Sequence, residues 1–267
     1  MDLGIAGRAC VVTGAGRGIG RATARMLCEA GVQVLLVSRT EDELVDAAAE
    51  AGRAGAPAHG RAAHLVLDVT AADAAERIVA EATDRFGSLD VIVNNAGVSS
   101  WRPLEEVPDE DWQAAYEINV LAPMRLMRAA VPAMAKRGWG RVVNVSSTAG
   151  KRPSAMMPEY SVAKAAQLSL SRLFADRYAA EGVLVNAVCP GPTKSEMWME
   201  DGGLLDQSRG EGDREAGLAE AGAKRPIGRL AEVDEIASTI TFLCSERASY
   251  VAGAAWSVDG STFQVII

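Results

Sequence analysis

Short apolar runs alternate with amphipathic stretches along almost the whole chain. The runs have the length of buried strands, and the stretches between them carry apolar residues at helical spacing. Seven strands are predicted, at residues 9–12, 32–37, 64–67, 91–93, 142–145, 184–188 and 254–258. The main helices after the first β-α unit are predicted at residues 41–51, 71–86, 109–135, 159–180 and 232–244. This repeated β-α order favours a doubly wound, mainly parallel sheet with helices on both faces.

Two segments do not fit the alternation of strands and helices. The Ala- and Gly-rich residues 52–62 are interpreted as a connecting loop. Residues 196–229 are long, charged and dotted with glycines, which indicates an insertion and not another β-α unit. With 267 residues, 49% of them hydrophobic, the chain is long enough for one domain spanning residues 1–267 with this insertion inside it.

Charge and cysteine content narrow the class of function. A net charge of −8 argues against nucleic acid or an anionic membrane as a partner, because both require clustered Lys and Arg. The four cysteines lie far apart without a CxxC pair, so we expect buried thiols in a reducing cytoplasm and no metal site. The N-terminal residues lack the pattern of an export signal, and no apolar run has the length of a membrane span. These features favour small-molecule chemistry.

The sequence TGAGRGIG, residues 13–20, joins the first predicted strand to a helix. Glycines at such a junction allow a tight turn and let a pyrophosphate approach the N–H groups of the helix N-terminus. A glycine-rich turn can also be purely structural, so this motif alone leaves both interpretations open.

Four motifs in order resemble the short-chain dehydrogenase/reductase family: TGAGRGIG, then NNAG at 94–97, YSVAK at 160–164 and PG at 190–191. The resemblance covers roughly residues 7–262 and is closest in general character to the shorter-chain oxidoreductase branch, similar to the 3-oxoacyl carrier-protein reductases. It implies a Rossmann-type, seven-stranded parallel sheet. It also implies hydride transfer between a nicotinamide cofactor and a carbonyl or secondary alcohol, with tyrosine as general acid and base.

Tyr160 and Lys164 are four residues apart in a predicted helix and therefore share a face. A lysine there can stabilise a phenolate, so we expect the pKa of Tyr160 to lie below that of free tyrosine. No other tyrosine of the chain has lysine at this offset. The alternative is a structural tyrosine beside a solvated lysine.

The resemblance completes the catalytic set with two polar residues. Ser147, at the end of a predicted strand, would hydrogen-bond the substrate oxygen. Ser146 competes for this role, but the family spacing selects Ser147, and a structural serine remains the alternative. Asn119 would hold a water that joins Lys164 to a proton relay, and otherwise is a polar residue on a helix surface.

The end of the second strand bears on the choice of cofactor. Ser38 stands where an acidic residue would bind the ribose hydroxyls and repel a 2′-phosphate. Arg39 beside it and Arg17 in the glycine-rich turn can clamp a phosphate. We therefore expect NADP(H), with NAD(H) as the alternative.

The remaining site residues follow from the resemblance. Ser195 stands where the family usually has threonine, and either hydroxyl can reach a phosphate. The full set of expected cofactor contacts is Gly14, Gly16, Arg17, Gly18, Ile19, Gly20, Ser38, Arg39, Asp68, Val69, Asn94, Asn95, Ala96, Gly97, Tyr160, Lys164, Pro190, Gly191, Thr193 and Ser195. Residues 196–229 would form a substrate lid that is mobile without ligand. An apolar substrate pocket is expected from Trp101, Met156, Met157, Met197 and Trp198, although such side chains also fill cores.

These observations predict an NADP(H)-dependent carbonyl reductase or alcohol dehydrogenase. The alternatives are an NAD-dependent alcohol dehydrogenase of the same family and a cofactor-sensing protein without turnover. The complete set of four catalytic residues argues against a sensor, which needs no proton relay. Wide apolar surfaces on residues 109–135 and 159–180 favour a homotetramer with two-fold axes, and the apolar residues 263–267 are expected to join an interface.

Overall fold

Seven parallel strands form the central sheet of the computed structural model, which describes residues 2–209 and 213–264. Their spatial order is β3-β2-β1-β4-β5-β6-β9. The strands are β1 (Ala9–Thr13), β2 (Gln33–Ser38), β3 (Arg61–Val66), β4 (Val91–Asn94), β5 (Gly140–Val145), β6 (Val183–Pro190) and β9 (Ala255–Val258), while β7 (Thr193–Lys194) and β8 (Ala231–Glu232) pair in a separate two-stranded sheet. The order reverses between β1 and β4, where open α/β sheets leave a ligand-binding crevice. The predicted Rossmann-type sheet is confirmed, with strand ends that differ by a few residues.

Helices cover both faces of the sheet. They are α1 (Gly18–Glu29), α2 (Glu41–Gly55), α3 (Ala74–Phe86), α4 (Asp109–Tyr116), α5 (Ala122–Lys136), α6 (Thr148–Lys151), α7 (Pro158–Tyr178), α8 (Glu196–Met199), α9 (Leu204–Arg209), α10 (Arg214–Ala223) and α11 (Val233–Leu243). One core cluster joins the sheet to α1, α2 and α11, and the other joins it to α3, α5 and α7. Because β1 is buried along its whole length, its residues 9–12 form an uninterrupted apolar run in the sequence, whereas the equally buried β5 also carries Arg141 and Asn144.

The prediction of one uninterrupted α-helix over residues 109–135 is wrong. A π-helical turn at Glu117–Leu121 separates α4 from α5. It carries the buried side chains of Asn119 and Val120. Such turns insert one extra residue into a helix and often lie at functional sites. Composition gave no signal for it, because the extra residue is selected by what the turn packs against.

The prediction of a loop over residues 52–62 is also wrong. Helix α2 continues to Gly55, a 3-10 turn follows at Ala56–Ala58, and β3 begins at Arg61. The glycines serve close packing here: a Cβ on Gly60 would lie 2.1 Å from the carbonyl oxygen of Cys28 in α1. The alanines between them are strong helix formers.

The insertion at 196–229 contains three short helices, α8 to α10. Leu204 and Leu205 are each only 3% exposed, so the segment contributes more to a core than its charge suggests. Residues 210–212 of the insertion and 265–267 of the expected C-terminal interface lie outside the described residues. Within the described part of the chain, no helix is both long and apolar enough to cross a membrane.

Candidate active site

The glycine-rich turn runs directly into the N-terminus of α1. Gly18, the first residue of the helix, has φ +55°, which disfavours any residue with a side chain. A Cβ on Gly20 would lie 2.3 Å from the carbonyl oxygen of Gly14, so the turn closes only with glycine there. No side chain caps this helix, and its first turn carries no acidic residue. The N–H groups at the helix start are therefore available to an anionic group such as a pyrophosphate.

A cavity of about 370 Å³ begins at this turn and crosses the carboxyl ends of the central strands. All the expected cofactor contacts except Gly20 and Asn94 line it. Gly20 instead allows the turn to close, and Asn94 is buried, with its Nδ2 donating to Asn144 Oδ1 at 2.7 Å. The shape and donors of this cavity thus fit a nicotinamide dinucleotide.

Strand β5 and helix α7 bring the catalytic candidates together. Ser147 and Tyr160 both line the cavity, and the Ser147 hydroxyl acts to lower the pKa of the Tyr160 phenol. Ser147 Oγ also accepts from the N–H of Ala149 at 3.0 Å and so caps α6. Ser146, the competing serine, donates to the backbone carbonyl of Lys164 at 3.0 Å. Of the two serines, Ser147 is therefore the one in contact with Tyr160.

Lys164 is almost fully buried, and its ammonium has two partners. Nζ donates to the carbonyl of Val145 at 2.7 Å and to Oε1 of Gln167 at 3.3 Å. Burial lowers the pKa of Lys164 to about 7, and the nearby Cys189 opposes this shift. Gln167 was missed in the sequence, although its position three residues after Lys164 places it on the same helix face.

The expected low pKa of Tyr160 is not what the structure gives. Burial of the phenol raises the pKa of Tyr160 to about 12, despite the hydrogen bond with Ser147, which acts in the opposite direction. Lys164 Nζ lies 5.5 Å from the centre of the tyrosine ring and points to backbone and amide acceptors. Sharing a helix face therefore does not by itself stabilise the phenolate, because desolvation outweighs the lysine at this separation.

Asn119 presents an unpaired acceptor beside Lys164. Its Nδ2 donates to the carbonyl of Ala115 at 2.9 Å, while Oδ1 is buried and has no hydrogen-bond partner among the described residues. A Cβ on Gly97 would lie 2.9 Å from this Oδ1 and 3.5 Å from Lys164 Nζ. Both polar groups thus border the space next to Gly97, which only a glycine leaves open.

The end of the cavity opposite the catalytic candidates carries charges of both signs. Arg17 and Arg39 line it as expected, and Arg39 Nη1 lies 3.8 Å from Asp68 Oδ2. Glu43 of α2 also lines it, which the sequence analysis missed. A Cβ on Gly16 would lie 3.3 Å from the Glu43 carboxylate and 3.2 Å from Ser38 Oγ. A carboxylate therefore does approach this end of the cavity, from the helix that follows Ser38.

The expected substrate residues are divided between two adjoining cavities. Met157, Met197 and Trp198 line the first, whereas Trp101 lines a second cavity of about 410 Å³. Met156 lines neither, and its carbonyl accepts from the N–H of Arg102 at 2.9 Å. The second cavity is also lined by cationic side chains, whose place there could not be predicted from the sequence.

This fold and this arrangement of side chains define a class of enzyme. The family model described as short chain dehydrogenase matches residues 8–203. The chain belongs to this family and is therefore an oxidoreductase.

Individual relatives match over nearly the full chain. L-sorbose reductase from Gluconobacter frateurii, solved with NADPH and L-sorbose, superposes with a TM-score of 0.92 at 34% identity, covering 100% of both chains. The cis-4-hydroxycyclohexanecarboxylate dehydrogenase of Sinomonas cyclohexanicum is 38% identical, covering 97% of this chain and 98% of that protein. The 3-oxoacyl-[acyl-carrier-protein] reductase of Escherichia coli is 33% identical, covering 97% and 98%.

Proposed function

We propose that the protein is an NADP(H)-dependent oxidoreductase that interconverts a carbonyl group and a secondary alcohol. The observation that carries the proposal is that Ser147, Tyr160 and Lys164 line the same cavity as the glycine-rich turn. One end of the cavity suits a dinucleotide and the other presents two hydroxyl groups to a substrate oxygen.

The roles of the side chains follow from their chemistry. A bound nicotinamide supplies or accepts a hydride at the substrate carbon. Ser147 and Tyr160 hydrogen-bond the substrate oxygen, and Tyr160 gives it a proton in reduction and removes one in oxidation. Lys164 binds the ribose hydroxyls. The unpaired Oδ1 of Asn119 suits a water that relays protons between Lys164 and solvent.

Arg17 and Arg39 support the choice of NADP(H), because both are cations at the end of the cavity where a 2′-phosphate would lie. The NADPH complex of the Gluconobacter frateurii reductase supports the same choice. One observation favours NAD(H) as the second candidate: the carboxylate of Glu43 faces Ser38 and Gly16, where it would repel a phosphate.

The proposed substrate is a small carbonyl compound or alcohol. Met157, Met197 and Trp198 offer apolar contacts near Tyr160. Two relatives are named for their substrates, a sugar ketone and a hydroxylated ring acid, and these are the substrate classes to test first. A panel of carbonyls and alcohols, followed by NADPH absorbance, tests the proposal.

The decisive variant is Tyr160→Phe, which keeps the ring and removes only the hydroxyl. It is expected to lower kcat by about 10² to 10⁴ while NADPH binding is retained. Tyr178→Phe is the matched control, because Tyr178 lies on the same helix and stacks on Phe174. Near-normal turnover by Tyr160→Phe would refute this mechanism. Tight NADPH binding without reduction of any carbonyl would instead favour the cofactor-sensing alternative.

The proposal extends to assembly and location. Two separate apolar areas are exposed, one with Tyr116, Val162 and Leu173 and one with Tyr250 and Trp256 at the β9 edge. Two self-complementary interfaces of this kind build a tetramer with two-fold axes. Sedimentation at micromolar concentration tests this, and a monomer would refute it. The free, buried cysteines suit a cytoplasmic enzyme.

A further inference from the structure

The second cavity is joined to the catalytic one. The two share Thr148, Ala149, Met157, Pro192 and Trp198 among their lining residues. The two cavities therefore adjoin at these residues, and a ligand that extends past them from Ser147 and Tyr160 would enter the second cavity. At about 410 Å³, this cavity has room for a substantial part of a small substrate.

The charge of the second cavity is opposite to that of the protein as a whole. Three cationic side chains line it, Arg152, Lys224 and Arg225, against one carboxylate, Glu220. Lys224 Nζ is paired with Glu220 Oε1 at 2.8 Å. Among the described residues, neither Arg152 nor Arg225 has a side-chain hydrogen bond or ion pair. The chain as a whole has a net charge of −8. Two unpaired guanidinium groups beside the catalytic cavity therefore favour an anionic ligand there.

Arg225 carries the stronger part of this observation. Its Nε is buried and finds no acceptor within the parts of the chain that the structure describes. A buried donor without an acceptor is costly, and desolvation also lowers the pKa of this guanidinium. An anion bound in the cavity would supply the missing acceptor, and a planar carboxylate matches the fork of a guanidinium.

We propose, building on the proposed function, that the substrate is an organic acid whose carboxylate binds Arg225 in the second cavity. The reacting carbon then lies at Ser147 and Tyr160, and the apolar body between the two ends contacts Trp198 and Met157. Arg152, which is exposed at the rim, adds a second positive charge. The sequence led us to expect an apolar small-molecule substrate, and this inference adds one negative charge at the end of its apolar body.

A carboxylate fits this cavity better than a phosphate group. Glu220 is paired with Lys224, so the cations that remain for a ligand are Arg152 and Arg225, and the planar fork of a guanidinium matches a planar carboxylate. The same comparison disfavours the phosphate of a carrier-bound substrate as the ligand of this cavity. A cyclohexyl phosphate probe separates these possibilities experimentally.

The test measures binding, so it does not depend on turnover. Cyclohexanecarboxylate and the uncharged cyclohexanecarboxamide are titrated calorimetrically into the full-length protein saturated with NADP⁺. The acid is expected to bind about tenfold to a hundredfold more tightly than the amide. Arg225→Gln should remove this preference, and Arg152→Gln should reduce it. Arg172→Gln, an exposed arginine on the outside of α7 that pairs with Asp176, is the matched control and should retain it.

The outcomes separate this inference from the proposed function. Equal binding of acid and amide by the native protein would overturn the anion site, as would a preference that survives Arg225→Gln combined with Arg152→Gln. Tighter binding of cyclohexyl phosphate than of the acid would overturn the assignment to carboxylate. Reduction of 4-oxocyclohexanecarboxylate and its methyl ester is then followed with NADPH. A retained preference for the acid without any reduction would support the site and contradict the oxidoreductase proposal for such ketones, whereas equal reduction of both would do the reverse.

Discussion

Arg17 of the glycine-rich turn forms an ion pair with Glu200, which directly follows α8 of the insertion, with Nη1 2.5 Å from Oε2. The pair connects the expected phosphate-binding turn to the expected lid across 183 residues of sequence. Arg17 is also proposed to bind the 2′-phosphate of NADPH. The phosphate and the lid carboxylate would therefore compete for one guanidinium, which couples cofactor binding to the position of the insertion.

Glu200→Gln tests this coupling. Removing the carboxylate frees Arg17, so NADPH should bind more tightly while NADH affinity stays the same. The gain is expected to be at most about fivefold, because both side chains are nearly half exposed and such pairs contribute ~0 to 1 kcal/mol. Fluorescence titration with both cofactors measures it. Glu181→Gln, which removes a surface ion pair with Arg177, is the control, and a similar gain for NADH would exclude competition for the phosphate.

Arg39→Ala should weaken NADPH binding about tenfold to a hundredfold, because a charge-assisted contact contributes about 1.5 to 3 kcal/mol. NADH affinity should hardly change. Glu43→Gln is the opposite test: loss of its carboxylate near Ser38 should strengthen NADPH binding. Equal effects of Arg39→Ala on both cofactors would remove Arg39 from phosphate recognition, and a native preference for NADH would favour the NAD-dependent alternative.

The sheet could be predicted from the sequence for a physical reason. Strands buried on both faces are mostly apolar, as in β1 and β2, so the signal is local. The π-helical turn around Asn119 left no comparable signal, because an extra residue in a helix is stabilised by contacts with distant parts of the chain. The wrong prediction of a loop around Gly55 and Gly60 has the same cause, because their close packing against Cys28 of α1 leaves no mark in the sequence.

The candidate site, like the fold, could be predicted from the sequence only in part. Motif spacing identified Ser147, Tyr160 and Lys164, and the structure brings them to one cavity. Motif spacing could not predict the direction of the Lys164 ammonium, because that direction depends on the carbonyl of Val145 in another element. It also could not place Arg225, because residues of an irregular insertion have no periodicity that fixes which side chains face a cavity.

The buried Lys164 should make stability depend on pH. Its pKa is lowered from 10.5 to about 7 in the folded state, so below pH 7 both folded and unfolded chains carry the proton and the folded state bears the full cost of a buried ammonium. Between about pH 7 and 10.5 only the unfolded chain remains protonated, and this contribution to stability therefore rises with pH. Lys164→Met should stabilise the cofactor-free protein at pH 6 by on the order of 4 kcal/mol, less the value of the lost hydrogen bonds.

Denaturant unfolding of wild type and Lys164→Met from pH 6 to 10.5 checks this sign. The difference in the free energy of unfolding should shrink steadily as pH rises. Lys136→Met, which removes an exposed lysine on α5, should show no such trend. A difference independent of pH would mean that Lys164 keeps its proton in the folded protein.

The insertion at 196–229 should be the first segment cut by trypsin in the ligand-free protein, because several of the ion pairs that hold it are exposed to solvent. Arg214 makes several of them, with ion pairs to Asp206 and Asp201 and a hydrogen bond to the carbonyl of Met199. Asp206→Asn, which removes a partner of Arg214 without removing a tryptic site, should accelerate the first cut, whereas NADP⁺ with a turned-over substrate should slow it in the wild type. If ligands stabilise the closed insertion by ~1.4 kcal/mol, cleavage should slow about tenfold, provided that the cleavage rate follows the equilibrium population of the open form.

Arg85→Gln, which breaks the surface ion pair with Glu81 on α3, should leave the rate unchanged. Mass spectrometry of the first fragments locates the cut, and a first cut elsewhere, or no protection by cofactor and substrate together, would contradict the lid assignment.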